Sequence, residues 1–167
     1  MLKALIPDLY LPSLLHLDLQ KLRVRDIKGI ICDMDNTILS WEAERVDDPM
    51  AAWCKQARER GFEICLVSNG MKRRVALVAE DLGLPYVARA VKPRLEPFHR
   101  ALRILGLSSQ EVAVIGDQIF TDVWGGNRMG MFTILVDPLS SKEMLNTRFV
   151  RFVEGFIRRR LTRENNV

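Results

Sequence analysis

A chain of 167 residues, 48% apolar and 28% charged, has the size and composition of one folded domain, which excludes disordered and fibrous classes. No apolar stretch reaches the roughly 20 residues that span a bilayer, and no basic-then-apolar leader opens the chain, so a cytoplasmic protein is expected. The net charge of +4 is gathered at one end: residues 142–163 hold seven basic side chains against two acidic ones, a local +5 that leaves about −1 elsewhere.

Pro7 and Pro12 interrupt the leucines of the first 25 residues, so a packed arm or two short segments are expected there in place of one long helix. Short apolar runs at 27–32, 62–67, 112–115 and 132–136 read as buried strands, with 84–87 a weaker candidate. Between them, 49–60, 71–82, 93–105 and 119–129 have helical length, and Gly61, Gly83, Gly106 and Gly130 supply the stops. Strand alternating with helix predicts parallel strands joined by crossovers, hence an α/β fold with a doubly wound parallel sheet. The division expected is an arm over 1–26, a core over 27–141 and a basic amphipathic helix over 142–167. Cys32, Cys54 and Cys65 lie among apolar neighbours and read as small buried hydrophobes, while His16 and His99 are too few for a zinc site.

Ligands of such sheets gather outside the carboxyl ends of the strands. The polar residues of this chain fall there: Asp33 and Asp35 after the first run, Ser68 and Asn69 after the second, Gly116 and Asp117 after 112–115. Asp33 and Asp35 point the same way if the strand alternation continues, so one carboxylate can attack phosphorus while the other moves a proton. Thr37 and Ser68 offer hydroxyls to phosphate oxygens, and Lys92 offers a fixed positive charge. Asp117 is placed to bind a hard cation, and Asp122 could ligate it or orient a ligand. Taken singly, each of these residues has an ordinary explanation, since Asp caps helices and Ser-Asn-Gly fills loops. Their joint order at successive strand ends is what favours a site.

The segments Asp33-Met34-Asp35-Asn36-Thr37, Val67-Ser68-Asn69, Val91-Lys92-Pro93 and Gly116-Asp117-Gln118-Ile119-Phe120-Thr121-Asp122 resemble the four successive motifs of the haloacid dehalogenase-like hydrolases. The resemblance spans residues 27–137. It implies a magnesium-dependent phosphatase with Asp33 as nucleophile and Asp35 as general acid and base. It also implies that Thr37, Ser68, Asn69 and Lys92 hold the phosphate. The metal would be held by Asp33, the Asp35 carbonyl and Asp117, with Asp122 supporting. The stretches between motifs are too short for the cap domain that many members carry, so an open site is expected. An open site favours a large substrate, a membrane lipid or an oligomer that supplies the missing wall. The Asp-Asn-Thr form of the first motif, the Gly-Asp-Gln-x-x-Thr-Asp form of the fourth, and the arm with Pro7-Asp8 look most like the YqeG-type subgroup, related to phosphatidylglycerophosphate phosphatases. That likeness implies phosphatidylglycerophosphate as substrate, with a soluble phosphomonoester as the alternative.

Two other protein classes share part of this pattern. A signalling receiver domain also holds an aspartyl phosphate, but its Lys follows the phosphorylated Asp and lies near the chain's end, whereas Lys92 precedes Asp117. A nucleic-acid-binding protein would suit the basic tail, yet no helix-turn-helix, aromatic RNA motif or zinc finger accompanies it, so no nucleic-acid partner is expected. Leu145, Phe149, Phe152, Val153, Phe156, Ile157 and Leu161 recur at helical spacing beside the tail arginines. This suggests either a docked terminal helix or a peripheral contact with an anionic membrane.

Overall fold

The computed structural model describes residues 2–140, and the expected basic helix of 142–167 lies outside the described residues. Six parallel strands form one sheet in the order β1-β6-β5-β2-β3-β4. They are β1 (Leu9–Leu11), β2 (Gly29–Cys32), β3 (Glu63–Val67), β4 (Tyr86–Val87), β5 (Val112–Gly116) and β6 (Phe132–Val136). The helices are α1 (Leu19–Arg23), α2 (Asp48–Glu59), α3 (Lys72–Leu82), α4 (Glu96–Leu105) and α5 (Trp124–Arg128).

Period-two alternation along the central strands divides the core between the two faces of the sheet. Ile30, Ile64 and Leu66 pack with Met50 and Trp53 of α2, Val75 and Val78 of α3, and Leu14 and Leu22 of the arm. Ile31, Cys65 and Val114 face the other way, onto Phe98, Ala101 and Leu105 of α4. Helices on both faces explain why β2 and β5 are buried along their whole length and read as unbroken apolar runs. Helices α3 and α4 end at Gly83 (φ 63°) and Gly106 (φ 66°), left-handed positions that glycine takes without a Cβ clash.

Three features depart from the sequence expectation. The arm contributes strand β1, which pairs in parallel with β6 as Leu9 with Ile134 and Leu11 with Val136. Asp8 anchors the pair, donating its amide to the Thr133 carbonyl (2.9 Å) and accepting the Thr133 amide on Oδ2 (2.7 Å). The helix expected over 93–105 begins at Glu96, because the preceding residues form a loop around Lys92. The helix expected over 119–129 is split into a π-helical turn, Ile119–Val123, and the short α5. Such wide turns recur at functional positions.

All three cysteines are buried free thiols, as their apolar surroundings suggested. Burial pushes Cys54 up to about 11 and Cys65 up to about 12, so neither is a thiolate near neutral pH. Only the 33–47 loop and α2 separate β2 from β3, and only α3 with its flanking loops separates β3 from β4. Among the described residues, therefore, no cap domain roofs the carboxyl edge of the sheet. Among the described residues no helix is long and apolar enough to cross a membrane.

Candidate active site

The loops that leave β2, β3, β4 and β5 converge at that edge. Asp33 donates its amide to the Ile115 carbonyl (2.8 Å), extending the strand ladder one residue beyond Cys32. The chain then turns sharply: Asn36 adopts φ 63°, and the Thr37 and Ile38 amides return to the Met34 carbonyl at 3.3 and 3.0 Å. This turn buries Thr37, whose Oγ1 has no hydrogen-bond partner among the described residues. After β3, Ser68 is buried as well; its Oγ accepts the Gly70 amide (2.9 Å) and donates to Asp35 Oδ2 (3.4 Å).

Lys92 is held at the centre. Its amide donates to Asn69 Oδ1 at 2.8 Å, while Nζ lies 2.6 Å from Asp33 Oδ1 and 2.7 Å from Asp122 Oδ1. The approach to it is strained, because Arg89 (φ 51°) and Val91 (φ 55°) both occupy the left-handed region, which is rare for a β-branched residue. Such positions cost on the order of 1–3 kcal/mol each and persist where the surroundings enforce them.

Asp33, Asp117 and Asp122 are all buried, and each offers one oxygen within 4.8 Å of the others. With Lys92, these three carboxylates make a buried cluster of formal charge −2. Burial pushes the Asp33 carboxyl well above the usual range; Lys92 opposes that rise, and Asp122 and Asp117 add to it. Burial works against the Lys92 ammonium too, but the Asp122 and Asp33 carboxylates outweigh it and hold its pKa above the ordinary value. An all-oxygen donor set with excess negative charge suits a hard divalent cation and not a thiophilic one. Gly116 makes room for this set, since a Cβ there would fall 2.2 Å from the Asp122 carboxyl.

That contact leads to a first prediction. Gly116→Ala should push Asp122 off Lys92, lowering activity by at least about 10-fold and raising the divalent-ion concentration needed for half-maximal rate. Metal-dependent phosphatase assays on the purified variant test this, and unchanged metal dependence would contradict it.

The structure thus brings Asp33, Lys92, Asp117 and Asp122 together, and sets Asp35 and Ser68 beside them. The Asp35 carboxylate stands outside the acidic triad and turns toward Ser68 and Arg74, so any part it has in metal binding falls to its backbone. Asn69, expected on the phosphate, uses its amide oxygen to hold the Lys92 backbone. Arg74, which sequence reasoning missed, bonds to Asp35. Its signal was a basic first turn, Lys72-Arg73-Arg74, where a helix ordinarily favours acids.

The model of the haloacid dehalogenase-like hydrolase family matches residues 40–130. The chain is 40% identical over 165 residues to "Probable phosphatase YqeG" of Bacillus subtilis, covering 99% of this chain and 96% of that one. It is 27% identical over 170 residues to phosphatidylglycerophosphate phosphatase 1, chloroplastic/mitochondrial, of Arabidopsis thaliana, covering 95% of this chain and 49% of the relative, so it spans about half of that protein's length. The crystal structure of a HAD phosphatase from Thermococcus onnurineus shares the fold, with a TM-score of 0.59 at 15% identity over 71% of this chain and 90% of that one. With a family model matched over more than half its length and a phosphatase relative aligned nearly end to end, the chain belongs to the haloacid dehalogenase-like hydrolases and is a phosphatase of that family.

Proposed function

We propose that the chain is a magnesium-dependent phosphomonoesterase that works through an aspartyl phosphate on Asp33. The observation that carries this reading is the placement of Lys92 Nζ between Asp33 and Asp122, with the Asp35 carboxylate alongside at the same sheet edge. Asp33 attacks phosphorus, and the bond from phosphorus to the leaving oxygen breaks. Asp35 delivers its proton to that oxygen. In the second half, Asp35 takes a proton from water as the water oxygen bonds to phosphorus, and the Asp33–phosphorus bond breaks to release inorganic phosphate. Lys92 and Thr37 donate to the phosphoryl oxygens, and Ser68 joins them by turning its one hydroxyl proton away from Asp35; the buried Thr37 hydroxyl has no other hydrogen-bond partner among the described residues. Asn69 serves by fixing the Lys92 backbone. Magnesium, held by Asp33 and Asp117 with Asp122 in support and the Asp35 carbonyl as the remaining protein oxygen, would neutralise charge on the phosphoryl group.

Chelator should therefore abolish turnover, and magnesium should restore it. The same addition should raise the thermal midpoint, because an ion that binds only the folded cluster stabilises it. Full activity in excess chelator contradicts the reading.

For the substrate, we favour phosphatidylglycerophosphate at an anionic membrane surface. Two things support this: the activity named for the Arabidopsis relative, and the apolar rim of the open site. Trp41, Met71, Val91 and Leu139 are exposed on the loops that follow β2, β3, β4 and β6. The Trp41 and Leu139 amides both bond to Asn36, which ties two of these loops together. Exposed Lys72, Arg73, Arg89 and Arg94 are interspersed with them and offer attraction to anionic headgroups. Phosphate release from phosphatidylglycerophosphate in vesicles, set against nucleotide, sugar and aryl phosphates, tests the substrate. Faster turnover of a soluble ester would assign the enzyme to that ester. Sedimentation with anionic vesicles at low and high salt tests the peripheral contact, which should weaken with salt.

A further inference from the structure

Arg74 has no part in the chemistry described so far, yet each of its guanidinium nitrogens is hydrogen-bonded. Nε and Nη2 both donate to Asp35 Oδ1, at 3.3 and 3.1 Å. Nη1 donates to the Ala43 carbonyl (3.1 Å) and Nη2 also to the Trp41 carbonyl (3.3 Å). The guanidinium carbon lies 5.8 Å from the centre of the Trp41 ring.

Helix stability does not account for an arginine here. Arg74 is the third residue of α3, in a first turn that has no acid and no side-chain cap, where the helix dipole disfavours a cation. A general attraction between charges does not account for it either, since the Arg74 and Asp35 side chains are 32% and 16% exposed and solvent screens the pair. The planar fork supplies direction instead. It fastens one oxygen of Asp35 to two backbone carbonyls of the 41–43 loop, and a single ammonium could not satisfy all three acceptors in one plane.

We infer that Arg74 is a positioning residue for proton transfer: by holding Asp35 Oδ1 against the 41–43 loop, it leaves Oδ2 as the oxygen that exchanges a proton with the leaving group. Oδ2 lies on the Ser68 side, 3.4 Å from its hydroxyl, and so faces the phosphoryl site. When the ester bond breaks, its electron pair stays on the leaving oxygen and the proton on Oδ2 moves to that oxygen. Water returns a proton to Oδ2 in the second half-reaction. Arg74 neither gains nor loses a proton. The inference rests on Asp35 being the acid and base proposed above.

Leaving-group dependence tests it, because kcat/KM reports the first phosphoryl transfer, and only a poor leaving group needs protonation there. The wild type, Arg74→Ala, Arg74→Gln, Arg74→Lys and Asp35→Asn would be assayed in excess magnesium on glycerol 2-phosphate and on 4-nitrophenyl phosphate. For Arg74→Ala and Arg74→Gln, kcat/KM should fall by about 10-fold or more on the alkyl ester and by less than about 3-fold on the nitrophenyl ester. Arg74→Lys should recover part of the loss. Equal losses on both esters, or no loss on either, overturn the inference. If Arg74→Ala fails to fold, Arg74→Gln and Arg74→Lys carry the same comparison. Asp35→Asn separates the two readings. If it shows no leaving-group discrimination, the role of Asp35 itself fails; if it discriminates and the Arg74 variants do not, the role of Arg74 alone fails.

Discussion

Asp33→Asn should abolish turnover, to at most about 10⁻⁴ of the wild-type rate, while the protein stays folded. The amide keeps the shape of the carboxylate and can still accept the Lys92 hydrogen bond, but it cannot form an acyl phosphate and it removes one charge from the acidic cluster. Lys92 retains Asp122 as a counterion at 2.7 Å, so no buried ammonium is orphaned. Without added metal the substitution lowers the cluster's excess negative charge, and the thermal midpoint in chelator should match or exceed that of the wild type. Steady-state assays together with thermal unfolding in chelator check both halves. Turnover near wild type would remove Asp33 as the nucleophile.

Lys92→Ala should have the largest effect on stability. It leaves Asp33 and Asp122 facing each other in a buried pocket without the ammonium that each touches, and breaking a buried pair costs about 3–5 kcal/mol. Activity should fall by about 10²–10³ through loss of the charge facing the phosphoryl oxygens. The stability deficit should depend on pH. Burial already raises the folded-state pKa of Asp33 above its unfolded value, and removing Lys92 takes away the main influence that lowers it. A raised folded pKa favours folding below the unfolded value, and that contribution is lost as pH rises through the folded value. In chelator the variant should therefore be least stable, relative to the wild type, at neutral and alkaline pH, and recover as the solution is made acidic. Urea unfolding of both proteins in chelator across that range measures the difference, and a deficit independent of pH contradicts this account.

The residues that carry local signals were legible in the sequence. The apolar runs of β2 and β5, buried on both faces, show as short unbroken apolar stretches, and Asp33, Ser68 and Asp117 follow directly where such strands end. What escaped was set by partners distant in the chain. Leu9–Leu11 is too short between prolines to show alternation, and it is a strand only because β6 lies beside it. The hold of Asn69 on the Lys92 backbone shows only once the Lys92 loop folds back onto it. The π-helical turn after β5 answers to the packing of Asp122 on Gly116, not to propensity in 119–129. Arg74 was visible as a basic first turn, but its target, Asp35, lies on another strand's loop.

The pairing of β1 with β6 bears on the order of events during synthesis. Among the described residues, β1 has β6 as its only sheet neighbour, and β6 is made about 120 residues later. At roughly 5–20 residues per second, that is a wait of about 6–24 s. Through that interval the leucines of the arm, Leu14, Leu17, Leu19 and Leu22 among them, can reach their core only as β2, β3 and the helices above them emerge. The edge that β1 covers is built last, so the nascent chain carries an unpaired β-edge segment and a leucine-rich arm at the same time. Both invite association with other chains until β6 arrives to pair with β1.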